Sequence, residues 1–323
     1  MKTNRMKKFT PYFYILPTFI ILAVVIVIPI IYVIIQSFYT TFANESVFVG
    51  LRNYKMAFED ELLLTALKNN LKLFLCVPIL TVLSLAIASI LYNKIRGWRF
   101  YRSVIFIPYI LAIPVVGIVF SYLLQYNGVI NSILRTIGLE NMALDWLGDP
   151  NLAFPSVAIV IMWKQIGFGV VLFLARMMSI DKTLYESADV DGATWFQKFM
   201  HITVPQTKSI IEFYVIITLI EMLSWVFNFI YVMTAGGPGN KTLVLEYLIY
   251  KKAFGGGDFN IAMAISVVLL AIAAILIVIH QIVMRKEEGK NETKKRRNSL
   301  PAIDDFTCGR YYLSVIFYDS EFV

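Results

Sequence analysis

A chain of 323 residues that is 58% hydrophobic and only 16% charged, with a mean hydropathy of +0.69, lies outside the range of soluble domains and implies an integral membrane protein. Its formal net charge of +7 raises the question of a nucleic-acid partner. Most of the excess flanks apolar runs, where the anionic headgroups of a lipid bilayer are its expected counterpart, and no nucleic acid is predicted.

In chain order, six apolar runs reach the roughly 20 residues that a helix needs to cross a bilayer. They are Tyr12 to Phe38, Leu71 to Tyr92, Ser103 to Tyr126, Phe154 to Ala175, Ile210 to Met233 and Ile261 to Met284. They are apolar on every face, unlike the alternating strands of a barrel, so the expected fold class is an all-α integral membrane bundle of six transmembrane helices. The first run follows the basic "MKTNRMKK" but is too long for a signal peptide and has no small-residue cleavage site after it; it is expected to remain as a span. Pro17, Pro29, Pro78, Pro108 and Pro114 are expected to kink their helices. Lys and Arg concentrate in the N-terminal segment, around residues 94–102, in the loop after the fourth run and after residue 284. The positive-inside rule therefore predicts a multi-pass protein with both termini cytoplasmic. The outer connections, 39–70 and 127–153, have room for short surface helices. Residues 1–288 form the membrane domain in this reading, and 289–323, opening with the charge-dense end of "RKEEGKNETKKRRNS", form a tail expected to be disordered.

The residues offer little chemistry. Cys76 lies inside the second run and Cys308 in the tail, so neither a disulfide nor a cysteine metal site is expected. His201 and His280 are the only histidines and do not stand at ligand spacing, so no metal site is predicted. "GGPGNKT" at 236–242 imitates a phosphate loop, but Asn240 stands where glycine should precede the lysine, and the segment is expected to be an outer turn. No catalytic residues are predicted and no cofactor is expected in this chain, so energy must come from a partner or an ion gradient.

Two charges lie inside the runs, where ionisable groups are functional candidates. Lys164 stands 10 residues past Phe154, about 15 Å deep, and Glu221 stands 12 residues before Met233, about 18 Å deep. Both fall near the midplane and are expected to face one interior space, paired directly or across a cavity. Glu221, Ser224, Trp225 and Asn228 follow steps of three and four, a polar and aromatic stripe suited to the hydroxyls and ring faces of a sugar. Such a stripe also suits helix packing between subunits.

Between the fourth and fifth runs lies a polar island, "YESADVDGATWFQKFMHITVP", in a loop spanning 178–205. Asp181 suits the N-cap of a first helix, and Asp191 with Gly192 ends it, Asp191 being able to cap a second. Gly192 is expected to take a positive φ. Trp195, Phe199 and Ile202 give the second helix one apolar stripe, and Pro205 suits the first turn of the next span. Alone, this pattern is also that of a hairpin lying on headgroups.

The loop resembles the signature loop of permease subunits of bacterial binding-protein-dependent ABC importers: Glu-Ala-Ala, an Asp-Gly, then Ile-x-Leu-Pro. The likeness falls on Glu186, Ser187 and Ala188, on Asp191, Gly192 and Ala193, and on Phe199, Ile202, Val204 and Pro205, with Ser187 and Val204 as conservative departures. Flanking stretches, including Thr234, Gly236, Gly237, Pro238, Thr242, Tyr247, Tyr250, Ala253 and Phe254, resemble the carbohydrate-uptake type, and the similarity spans about residues 10–288. What the resemblance implies is a bacterial cytoplasmic-membrane complex. It would contain a second permease subunit as heterodimer partner, two ATPase subunits that bind the ATP, and an extracytoplasmic solute-binding protein. Glu186 to Pro205 would couple the ATPase to the pathway. Two other classes stay open at this point: an ion-coupled secondary transporter using Lys164 and Glu221, and a non-transporting membrane scaffold. The absence of an internal repeat between the halves weighs against the first of these.

Overall fold

The computed structural model describes residues 3–42, 45–256 and 258–299. The chain opens with α1 (Thr3–Leu22), a π-helical turn and α2 (Ile28–Gln36), continuous as one helix over Tyr14–Gln36, with Pro29 just after the π-helical turn. None of the most apolar window of this first hydrophobic segment, Tyr14–Gln36, is buried by the rest of the chain.

A short antiparallel hairpin follows, β1 (Tyr39–Phe42) with β2 (Glu45–Phe48), in the register Tyr39 opposite Phe48. It departs from the all-α expectation. Its residues explain it: β-branched Thr40, Thr41 and Val47 suit a pleated ribbon, and the Tyr39 and Phe48 rings meet edge on at 5.4 Å. Asn53 in α3 (Arg52–Glu59) holds the hairpin's entry by donating to the carbonyls of Ser37 and Tyr39, both at 2.8 Å.

The long helix α4 (Glu61–Tyr92) passes through Pro78 without interruption, capped by the Asp60 side chain on the Leu62 N–H. α5 (Trp98–Ile110) and α6 (Ile113–Leu123) replace the single third span expected at 103–126, because the chain bends by 97° between them. Extended Leu111 and Ala112 make the bend, Pro108 sits in the last turn before it and Pro114 in the first turn after it. The short α7 (Val129–Thr136) leads to α8 (Ala153–Met178), which packs on α4 and α5.

In the loop come α9 (Lys182–Val190) and α10 (Trp195–Lys198), then a π-helical turn and α11 (Val204–Met222). The stretch Trp195–Met222 runs as one helix and bends by 42° into α12 (Val226–Met233), so the fifth run is also broken. The short α13 (Leu245–Tyr250) precedes α14 (Phe259–Ser299). That last helix continues through 285–299, where the sequence suggests a disordered tail; Lys, Arg and Glu are good helix formers. The tail reading from 300 onward lies outside the described residues.

The core has an inner layer of Leu73, Val77, Leu80, Val157, Ile161, Met222 and Ile230, and a second layer of Leu85, Ala88, Val170, Phe173 and Tyr214. Near its N-terminal end, α4 clamps the 241–245 segment. Asn69 donates to the Lys241 and Leu243 carbonyls at 2.8 Å each, and Asn70 accepts from the Leu245 N–H. An ion pair, Lys252 Nζ to Asp60 at 2.8 Å, closes the same end.

Glu246 is sealed under that clamp with both carboxylate oxygens enclosed and without a hydrogen bond. Burial pushes its carboxyl up to about 7. The fold thus favours the neutral acid, and the stability this gives is full below the ordinary glutamate range and lost as pH rises through about 7. Glu246→Gln should therefore raise the thermal midpoint of the detergent-purified subunit above about pH 7 and leave it unchanged in acid. Equal shifts across the pH range would contradict this.

Candidate functional site

Two sites emerge, a loop and a cavity. In the loop, Asp181 caps α9 through the Thr183 N–H at 3.0 Å, a bond that also holds its carboxyl below the usual range. Gly192 takes φ +70°. The second helix is capped by Thr194, not Asp191: Thr194 accepts from the Gln197 N–H while Gln197 reaches back to the Thr194 N–H, a reciprocal capping box. Asp191 instead ends α9.

Helical spacing divides α9 into two faces. Tyr185 and Ala188 are half-buried against the bundle, while Thr183, Glu186, Ser187 and Val190 cluster on the opposite side, Val190 being 88% exposed. Ala188 is thus turned inward, away from Glu186 and Ser187. Beyond the turn, Ala193, Phe199 and Ile202 are half-buried, Asp191 and Pro205 are exposed, and Trp195 stacks on Phe199 at 5.3 Å.

The cavity, about 490 Å³, lies where both bent helices break. Ile110 and Ile113 border it from the α5–α6 bend, Met222, Trp225 and Val226 from the α11–α12 bend, and Lys164 and Gln165 from α8. Lys164 and Glu221 both line it, so the two intramembrane charges do share one space. They do not form a direct pair: among the described residues no ion pair joins them. Lys164 Nζ donates to the Tyr109 carbonyl at 2.7 Å and lies 5.2 Å from that residue's ring centre. Tyr109 belongs to the last turn of α5, whose carbonyls lose their helical partners at the bend, and an ammonium is the natural cap for that negative end. On the other side Glu221 keeps a buried oxygen, Oε2, without a partner, as does Gln165 at Nε2.

The stripe from Glu221 to Asn228 is interrupted. Ser224 and Trp225 lie in the break, their N–H groups both bonded to the Glu221 carbonyl, and only Trp225 of the lower three lines the cavity. Ser224 is exposed and Asn228 half-buried. Sequence reasoning missed the rings beside them. Phe227 and Tyr231 stack at 5.6 Å, Phe227 meets Tyr250 at 5.4 Å, and Tyr250 meets Phe254 at 5.3 Å. The four-residue steps 227 to 231 and 250 to 254 were the available signal. Tyr109 gave none, because it acts through its backbone. No group of three or more His, Cys, Asp or Glu suited to a metal occurs among the described residues.

Residues 73–287 match the family described as the binding-protein-dependent transport system inner membrane component. The chain belongs to this family. A probable ABC transporter permease protein, YurN of Bacillus subtilis, is 36% identical over 278 residues, covering 83% of this chain and 94% of that one. The trehalose/maltose transport system permease protein MalF of Thermococcus litoralis is 34% identical, covering 79% and 87%. A bacterial alginate ABC transporter, solved in complex with an alginate pentasaccharide-bound periplasmic protein, superposes with a TM-score of 0.76 at 25% identity, over 88% of this chain and 96% of that one. The protein is a permease subunit of an ABC importer, a transport subunit whose ATPase is a separate chain. That decides against the ion-coupled transporter and the scaffold.

Proposed function

We propose that this permease forms half of the path by which a sugar or oligosaccharide crosses a bacterial cytoplasmic membrane. Each bent helix pair counts as one span, which with the four long apolar helices makes six. Both termini and the 178–205 loop lie on the cytoplasmic side, where positive charge concentrates. A second permease completes the path, two ATPase subunits bind ATP and drive it, and a binding protein delivers the solute.

One observation carries this reading. The helix that starts in the loop at Trp195 runs without interruption to Met222 and ends at the cavity holding Glu221 and Lys164. Displacement of the loop is thereby conveyed to the cavity wall by a rigid element with two arrangements available at its bend. Glu186, Ser187 and Val190 form the face presented to the ATPase, and Asp191, Gly192 and Ala193 form the turn behind it. Phe199, Ile202 and Pro205 seat the second helix. Lys164, Glu221, Trp225, Ser224 and Asn228, with the rings of Phe227 and Tyr231, line or border the path. Relatives that carry sugars in their names, trehalose/maltose and lactose among them, support the carbohydrate class.

Gly192→Arg tests the loop. A built side chain there meets nothing within 4 Å, so the expected damage is backbone strain at φ +70° together with bulk and charge facing the ATPase. Uptake should be lost with membrane insertion intact, and retention of the ATPase subunit should fall. Full uptake with normal retention would remove the loop from coupling. The solute class is tested by measuring which oligosaccharides the cognate binding protein takes up.

A further inference from the structure

If the outward face of α9 meets the ATPase, side-chain contacts as well as the turns at its two ends must join α9 to the spans. Every residue of α9 is exposed except Tyr185 and Ala188. The Tyr185 ring packs against Tyr92, the last residue of α4, at 5.5 Å, and its hydroxyl shares a hydrogen bond of 3.0 Å with Thr203 Oγ1. Thr203 is buried, and Thr207, one turn on, donates back to its carbonyl at 2.7 Å. A second tie lies one turn along α9, where Asp189 pairs with Lys198 of the continuous helix. The base of that helix is held from the other side by Arg176 Nε, which donates to the Gln206 carbonyl at 3.1 Å.

Resting on the coupling-loop reading, we infer that Tyr185 is a positioning residue of transport, the joint through which movement of α9 reaches α4 and α11, with Asp189–Lys198 closing its open edge. The two ties differ in weight. Asp189 is 59% exposed, and exposed ion pairs contribute little. The tyrosine is half-buried between two spans and engages a buried hydroxyl, so it resists displacement in a way the ion pair cannot. Its function is distinct from docking, because Tyr185 points away from Glu186 and Val190.

The test uses the full complex, copurified with partner permease, ATPase subunits and binding protein, with a fluorophore on Ser224→Cys at the α11–α12 break. Mg-ATP with vanadate serves as the probe, so the solute's identity is not needed. In the parent complex the probe should shift the emission. Tyr185→Ala should abolish that shift while the ATPase subunits remain bound; Tyr185→Phe, which keeps the ring on Tyr92 but loses the hydroxyl, should retain part of it. Asp189→Lys or Lys198→Glu should reduce the shift, and the two together should restore it. An undiminished shift in Tyr185→Ala would overturn the inference, as would loss of the ATPase subunits from that variant, since Tyr185 would then merely support the docking face. Val190→Asp separates this from the underlying reading: it should release the ATPase, and if it does not, the coupling loop itself falls and the joint with it.

Discussion

Gly167→Leu should abolish accumulation of the permease in the membrane. A carbon placed on Gly167 would stand 2.3 Å from the Ile105 carbonyl and 3.1 Å from the Phe106 Cα, which is backbone of α5 and cannot swing aside. Small residues permit this close approach of α5 to α8, the usual basis of helix association where apolar burial supplies no driving force. Two residues on, a carbon on Gly169 would stand 2.6 Å from Ser84 Oγ and 2.8 Å from the Tyr214 ring, and Ser84 donates to the Ile166 carbonyl at 3.3 Å. Parting α5 from α8 would also pull the Tyr109 carbonyl from Lys164, so one substitution disturbs both packing and cavity. A cost at or above the upper end of the usual overpacking range of about 1–3 kcal/mol is expected, because the clash is with backbone. Quantitative immunoblotting of membranes against Ile159→Leu, a change at an exposed position, checks it; equal abundance would contradict the packing.

Lys164→Met and Glu221→Gln should impair transport by different routes. Removing the ammonium leaves the Tyr109 carbonyl unpaired at the end of α5, a penalty of about 1–3 kcal/mol falling on the bend itself. Lys164→Met should therefore lower both the stability of the purified subunit and solute uptake. Glu221 holds no structural bond through Oε2, so Glu221→Gln should spare assembly and reduce uptake. Because Lys164 is bonded to a carbonyl and not to Glu221, reversing both charges together should not rescue either single reversal, although partners in direct contact would couple. Thermal unfolding and uptake measured on one set of variants separate the outcomes. Uptake undisturbed in both neutralised forms would take the pair out of the path.

How much of this could be read in the residues depended on whether the cause was local. The capped start of α9 at Asp181, the positive φ of Gly192 and the apolar length of α4 and α8 are local properties and were legible. The 97° bend was half legible: Pro108 and Pro114 signal a disturbance, but the Lys164 ammonium that caps the end of α5 comes from another helix. The 42° break after Met222 was not legible at all, since residues 206–235 contain neither proline nor glycine. A stripe drawn on an ideal helix from Glu221 to Asn228 therefore passed over the break at Ser224 and Trp225, and of the lower three only Trp225 lines the cavity. Whether the two charges pair directly or across the cavity stayed open in the sequence, because depth was computable and rotation about the helix axis was not.

The most direct measurement of the central claim is a cysteine scan of α9 in the copurified complex, with Cys76 and Cys308 replaced by serine. Glu186→Cys and Val190→Cys should cross-link to the ATPase subunit through a short bismaleimide after a partner cysteine is scanned along that subunit's surface, while Ala188→Cys, turned toward the bundle, should not. A permease that purifies without a stoichiometric ATPase, or that cross-links through Ala188 and not through Glu186 or Val190, would contradict the account.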